Sequence, residues 1–77
     1  MHAETLKEVL HAAPFQPFTI HTVSGAQYLV DHPEFAWLTR GGRTLYINLP
    51  DGEGERVRLV DTALIERLEP QGTTRSG

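Results

Sequence analysis

The chain is predicted to be a mainly β domain with one N-terminal helix, its short strands curled into a small, strongly bent antiparallel barrel. Three observations predict this. From Phe18 onward apolar and polar residues alternate in short runs, the period of strands with one buried face. Those runs are separated by turn sequences, Ser24-Gly25, Gly41-Gly42 and Pro50-Asp51-Gly52-Glu53-Gly54. No helical stretch lies between them, and strands without crossover helices form a meander, which at this size is stabilised by curling closed so that its edges are removed.

The helix is expected within residues 3 to 12. Leu6, Val9, Leu10 and Ala13 recur at helical spacing on one face, and Thr5 followed by Glu8 matches a capping box. Pro14 and Pro17 lack the N–H a helix interior needs and push Ala13 and Gln16 out of the helical region, so the helix stops near Ala12. It is too short to be stable alone and must lie on the sheet.

The side-chain pattern selects the strand registers. At Ser24-Gly25 a two-residue turn would set Ile20 opposite Leu29 and leave Tyr28 and Val30 facing away. A three-residue loop, Val23-Ser24-Gly25, with Gly25 in the left-handed region, sets Ile20 opposite Tyr28 and Phe18 opposite Val30. It gathers every large apolar residue of this hairpin but Leu29 on one face, and is preferred. Asp31-His32-Pro33-Glu34 is a polar break whose proline cannot continue a central ladder. The Gly41-Gly42 turn then pairs Leu38 with Leu45 and Ala36 with Ile47, leaving Trp37 opposite Tyr46 and Phe35 opposite Asn48 on the other face. A five-residue loop, Pro50 to Gly54, sets Ile47 opposite Val57 and Leu45 opposite Leu59, with Arg56 and Arg58 outward. After a short turn at Asp61-Thr62-Ala63, Leu64, Ile65 and Leu68 are expected to return to the core. Residues 1–70 thus form a single helix-plus-barrel domain, and residues 71–77, with nothing to bury, a disordered tail.

Composition narrows the function classes. At 77 residues there is room for one small core and no second lobe. The absence of cysteine removes disulfides and thiolate metal sites and suits a reducing compartment; the N-terminal stretch reads as neither a signal peptide nor a membrane span, so a cytoplasmic location is expected. Seven Lys and Arg against ten Asp and Glu, a formal charge of −3, argue against strong nonspecific binding to nucleic acid.

Pro14, Phe15, Pro17, Phe18, Ile20, His21, Gly25, Val30, His32, Pro33, Glu34, Ile65, Leu68, Glu69 and Pro70 together resemble the pattern of a group of small uncharacterised bacterial proteins, which implies no activity. A looser resemblance is to Sm-like proteins, with an N-terminal helix, a strongly bent five-stranded barrel and a short turn before the last strand. It would make residues 26 to 40 the long bent second strand and Val57 to Leu68 the strand, turn and strand that close the barrel. It implies ring assembly through strand edges. The family's RNA-contacting patterns are not carried: where an Asp-x-aromatic-Asn motif would fall, this chain reads His32-Pro33-Glu34-Phe35-Ala36-Trp37, and the second motif is replaced by Val60-Asp61-Thr62-Ala63.

Few residues carry chemistry. Asp31, His32 and Glu34 with His21 are the only local candidates for a metal, and a backbone-bonded turn explains them more simply. Ser24 at a hairpin tip and Ser76 in the tail offer no nucleophile with a base, and no phosphate-cradling loop occurs. No enzyme activity, cofactor, membrane contact or small-molecule substrate is expected. The informative surface is Phe35, Trp37, Tyr46, Asn48, Arg56 and Arg58, with Trp37, Tyr46 and Arg58 in one row across three strands. Such a row anchors a protein partner or stacks nucleic-acid bases. Alternatively it is internal, with Phe35 and Trp37 under the helix and Tyr46 against Arg58. The expected function is a non-enzymatic module that binds protein, first of all another copy of itself; the alternative is an Sm-like RNA-binding ring.

Overall fold

The computed structural model describes residues 1–50 and 55–71. In chain order these form α1 (Ala3–Leu10), β1 (Phe18–Thr22), β2 (Gln27–Val30), a 3-10 turn (Pro33–Phe35), β3 (Ala36–Leu38), β4 (Thr44–Pro50), β5 (Glu55–Asp61), a second 3-10 turn (Thr62–Leu64) and β6 (Ile65–Pro70). The five-residue loop expected at Pro50 to Gly54 and the tail lie largely outside the described residues. Of the tail, Gln71 is described, and its N–H donates to the Pro17 carbonyl at 2.8 Å.

Both early registers are as expected. Phe18 lies opposite Val30 and Ile20 opposite Tyr28, with Gly25 at φ 94° closing the three-residue turn and its N–H donating to the Thr22 carbonyl. Ala36 lies opposite Ile47, Trp37 opposite Tyr46 and Leu38 opposite Leu45. The second turn is wider than two residues, because the Gly42 N–H (φ 75°) donates to the Thr39 carbonyl and Thr39 in turn bonds Thr44. Widening a hairpin loop by one residue on each side leaves the register unchanged.

The third hairpin differs by one position. Leu45 faces Val60, Tyr46 faces Leu59, Ile47 faces Arg58, Asn48 faces Val57 and Leu49 faces Arg56, because Pro50 pairs with Glu55 and only residues 51–54 remain to connect the strands. A slip of one residue exchanges the two faces of a strand. Val57 and Leu59, expected inside, therefore face out, and Val60 enters the core. The reason lies at the strand's end. With Val57 and Leu59 inward, alternation would carry Asp61 inward too. In the observed register Asp61 stays at the surface and accepts the Ala63 N–H, at 2.9 Å, to cap the second 3-10 turn. Buried Thr62 is satisfied instead by donating its hydroxyl to the Gly42 carbonyl at 2.9 Å. Leu64, expected in the core, belongs to this turn and is exposed; Ile65 and, in part, Leu68 do pack inside.

The strands form two three-stranded antiparallel sheets, β2-β1-β6 and β3-β4-β5. The expected closed barrel is not formed: among the described residues no strand of one sheet is paired with a strand of the other. Each passage between sheets is a 3-10 turn, where the ladder is interrupted, and Pro33 at the first lacks the N–H to continue it. One core nevertheless serves both sheets: Phe18, Ile20 and Val30 from the first, Ala36, Leu45, Ile47 and Val60 from the second, with Ile65 of β6 and with Leu6 and Leu10 of α1.

The helix starts earlier than its capping box suggests. His2 is the N-cap, without a side-chain bond, and Thr5 is already inside the helix, donating its N–H to the His2 carbonyl. Docking sets this start. The terminal ammonium of Met1 donates to the Thr62 carbonyl at 3.1 Å, and a Cβ at Gly42 would lie 2.7 Å from that of Ala3, so helix and turn meet where glycine leaves room. Ala13, expected on the buried face, lies beyond the helix and is exposed.

Candidate interaction surface

The register of β5 determines which side chains share the outer face of the β3-β4-β5 sheet. Residues directly opposite on antiparallel strands point to the same side. Trp37, Tyr46 and Leu59 therefore form one row across all three strands, and Asn48 and Val57 form the next. The apolar members are conspicuously open: Trp37 is 51 %, Tyr46 38 %, Val57 48 % and Leu59 62 % exposed. Between the Asn48/Val57 pair and the Thr44/Asp61 pair, Asp61 is the only charged residue on this face.

Of the expected site residues, Trp37 and Tyr46 are brought together as anticipated, and Trp37 is not covered by the helix. Arg58 is not their neighbour. It holds the position opposite Ile47, on the core side of the sheet, and is exposed because β5 is the last strand. The expected Tyr46 and Arg58 contact is thereby replaced by Tyr46 and Leu59. Arg56 lies opposite Leu49 and lines a shallow cavity of about 330 Å³ with Leu29, Asp31, Phe35 and Leu49. Phe35 is not opposite Asn48: it ends the first 3-10 turn, half-buried, with its ring edge-on to His32 at 5.0 Å. Asn48 is half-buried opposite Val57.

Sequence reasoning missed Leu59 and Val57 on this face. The signal that would have found them is Asp61, since any register that buries Leu59 from an alternating strand also turns Asp61 inward.

The outer face of β2-β1-β6 is of another kind. His21, expected to point away from the core, does so yet is only 8 % exposed. Its Nε2 lies 2.8 Å from Glu69 Oε1 of β6, and Arg67 Nη1 is 3.9 Å from the same oxygen. The cross-strand neighbours are Gln27 and Arg67, so the surroundings are polar. This partnership takes His21 out of the suggested metal set, and among the described residues no group of three His, Asp or Glu side chains converges to hold an ion. No helix of the described residues is long and apolar enough to cross a membrane.

A depression of about 480 Å³ runs between α1 and the first sheet and is lined by Val9, Ala12, Phe18, Leu68 and Pro70, with Glu8 and Gln16. It brings no acid and base pair together. The exposed apolar surface is concentrated on the Trp37, Tyr46 and Leu59 row beside the terminal strand β5. Comparisons with protein-family models, with curated proteins and with solved structures find no match.

Proposed function

We propose that this chain is a non-enzymatic, self-associating module whose contact surface is the outer face of β3-β4-β5 together with the edge of β5. The observation that carries this reading is the exposed row of Trp37, Tyr46 and Leu59. Full burial of a large apolar side chain contributes about 1.5–3 kcal/mol, and about half of that remains to be gained at each of these half-exposed residues, so the six of a symmetric pair offset a substantial part of the cost of association. Trp and Tyr are also the residue types that dominate interface energetics.

The finer reading of the fold is a strongly bent Sm-like meander. The strand order supports it: β2 and β3 are consecutive strands split by the first 3-10 turn, and β5 and β6 are split by the second, as expected for a bent second strand and a short turn before the last. RNA is the competing occupant of the face. Against it stand the net charge of −3, the loss of Arg58 from the aromatic row and the presence of Asp61 beside it.

Light scattering over a dilution series tests the proposal. The chain should associate in a concentration-dependent manner, and Trp37→Ala should raise the dissociation constant at least tenfold while lowering the melting temperature little. A strict monomer at high concentration overturns self-association. Tight binding of short uridine- or adenine-rich RNA at physiological salt would transfer the face to nucleic acid.

A further inference from the structure

Resting on the self-association just proposed, we infer that the second copy adds to the edge of β5 in an isologous, antiparallel pairing centred on Leu59, so that two three-stranded sheets become one of six.

The hydrogen bonds show which backbone groups are on offer. The Thr62 N–H donates to the Arg43 carbonyl at 2.9 Å, which makes 43 and 62 a bonded pair of the β4 and β5 ladder. Bonded and non-bonded pairs alternate along an antiparallel ladder. The pairs of Leu45 with Val60 and Ile47 with Arg58 are therefore bonded, while those of Thr44 with Asp61, Tyr46 with Leu59 and Asn48 with Val57 are not. Two independent features agree. Pro50, which has no N–H, falls on a non-bonded pair with Glu55, and Thr44 accepts from Thr39 on its other side. The N–H groups of Val57, Leu59 and Asp61 and the carbonyls of Val57 and Leu59 consequently point away from β4, along an edge where, among the described residues, no strand is paired. A cavity of about 150 Å³ separates the Leu59 to Asp61 end of this edge from Thr22, Ser24, Tyr28 and Leu64, so the β1-β2 hairpin borders that end without pairing to it.

Charge then selects the register. A two-fold axis normal to the sheet keeps each side chain on its own face only when it passes through a residue, so the choices can be compared one by one. Centring on Arg56 or Arg58 sets an arginine against itself, and centring on Val57 sets Arg56 against Arg58; like charges directly opposite destabilise a sheet. Centring on Val60 leaves a short overlap with Leu59 facing Asp61. Centring on Leu59 opposes no like charges: Leu59 meets Leu59 of the second copy, Arg58 meets Val60, and Val57 meets Asp61. The two Leu59 residues exchange both N–H to carbonyl bonds, and each Asp61 N–H reaches the Val57 carbonyl of the other copy. On the outer face the two apolar rows then join through the paired leucines into one stripe running from Trp37 to Trp37; the edge pairing itself covers Leu59, and Trp37 and Tyr46 stay open for the face contact proposed above.

Because the chain contains no cysteine, a single introduced thiol reports the geometry cleanly. Cα atoms of a bonded antiparallel pair lie about 5.5 Å apart, within disulfide range, whereas the two copies of residue 57 would be about 14 Å apart. Leu59→Cys should form a disulfide-linked dimer under mild oxidation at least tenfold faster than Val57→Cys. As a second measurement, Val57→Pro puts a pyrrolidine ring in place of the outward N–H, against the Asp61 backbone of the second copy, without touching the β4 ladder, a place where an edge strand tolerates proline. It should leave the melting curve of the monomer nearly unchanged and weaken association about tenfold. If light scattering shows a dimer but the two thiols oxidise at equal rates and Val57→Pro associates normally, the edge pairing is wrong while association through the face stands. If the chain is monomeric throughout, both readings fail.

Discussion

The two sheets share a core and differ on their outer faces. In β2-β1-β6 the outward position on the central strand is taken by His21, closed in by its neighbours and bonded to Glu69. In β3-β4-β5 the corresponding central position is Tyr46, flanked by Trp37 and Leu59, all open. The difference teaches where association can occur. A position closed by an internal hydrogen bond, as His21 is, gains little from a partner, because its polar groups would exchange one satisfied contact for another; Leu29 is the open apolar side chain beside it. An apolar face still in water has its burial free energy left to gain.

The strongest way to break this comparison is through what the sheets hold in common. If one core serves both, Ile20→Ala in the first sheet and Leu45→Ala in the second, both fully buried, should each cost about 2–5 kcal/mol. Chemical denaturation followed by both fluorescence and circular dichroism should show one coincident transition for each; separate transitions would mean the sheets fold as independent units. Next in size is Gly42→Ala. The left-handed φ and the 2.7 Å approach to Ala3 combine strain with overpacking, for an expected loss of about 2–3 kcal/mol in thermal unfolding. A neutral result would show that α1 is not seated on that turn. Smaller again is Glu69→Ala, which takes the partner from His21. The carboxylate side chain is more than half exposed and water can replace it in part, so the loss should be about 0.5–1 kcal/mol, with no effect on association. An oligomer that dissociates in this variant would transfer the contact surface to the first sheet. Trp37→Ala removes a half-exposed ring and should cost no more than about 1 kcal/mol of stability, in contrast to its large effect on association. If its melting temperature falls more than its affinity, the aromatic row serves the fold.

Much of the fold was legible because local chemistry left one answer. Gly25 and Gly42 both adopt the positive φ that their turns require, and in the flanking strands Phe18, Ile20, Leu45 and Ile47 allow a single phase of alternation. The end of the helix was likewise written in Pro14 and Pro17, which forbid its continuation. The candidate surface was legible in Trp37 and Tyr46 for the same reason. Its third member was not, since Leu59 and Val60 are adjacent apolar residues and either one can be the inward one.

Sequence alone therefore determined the element order, the two early registers and the placing of an aromatic pair on an outer face, all consequences of contacts between near neighbours in the chain. Tertiary structure decided the phase of β5, the splitting of the meander into two sheets and the closure of His21 by Glu69. These depend on groups far apart in sequence: Thr62 needs the Gly42 carbonyl, Met1 needs the Thr62 carbonyl, and Asp61 must stay in water. Burying one apolar residue more or less in an edge strand is worth about 1.5–3 kcal/mol, less than the penalty for burying an unpaired carboxylate, so the apolar pattern along β5 did not fix its phase; keeping Asp61 in water, with Thr62 bonded to the Gly42 carbonyl, did.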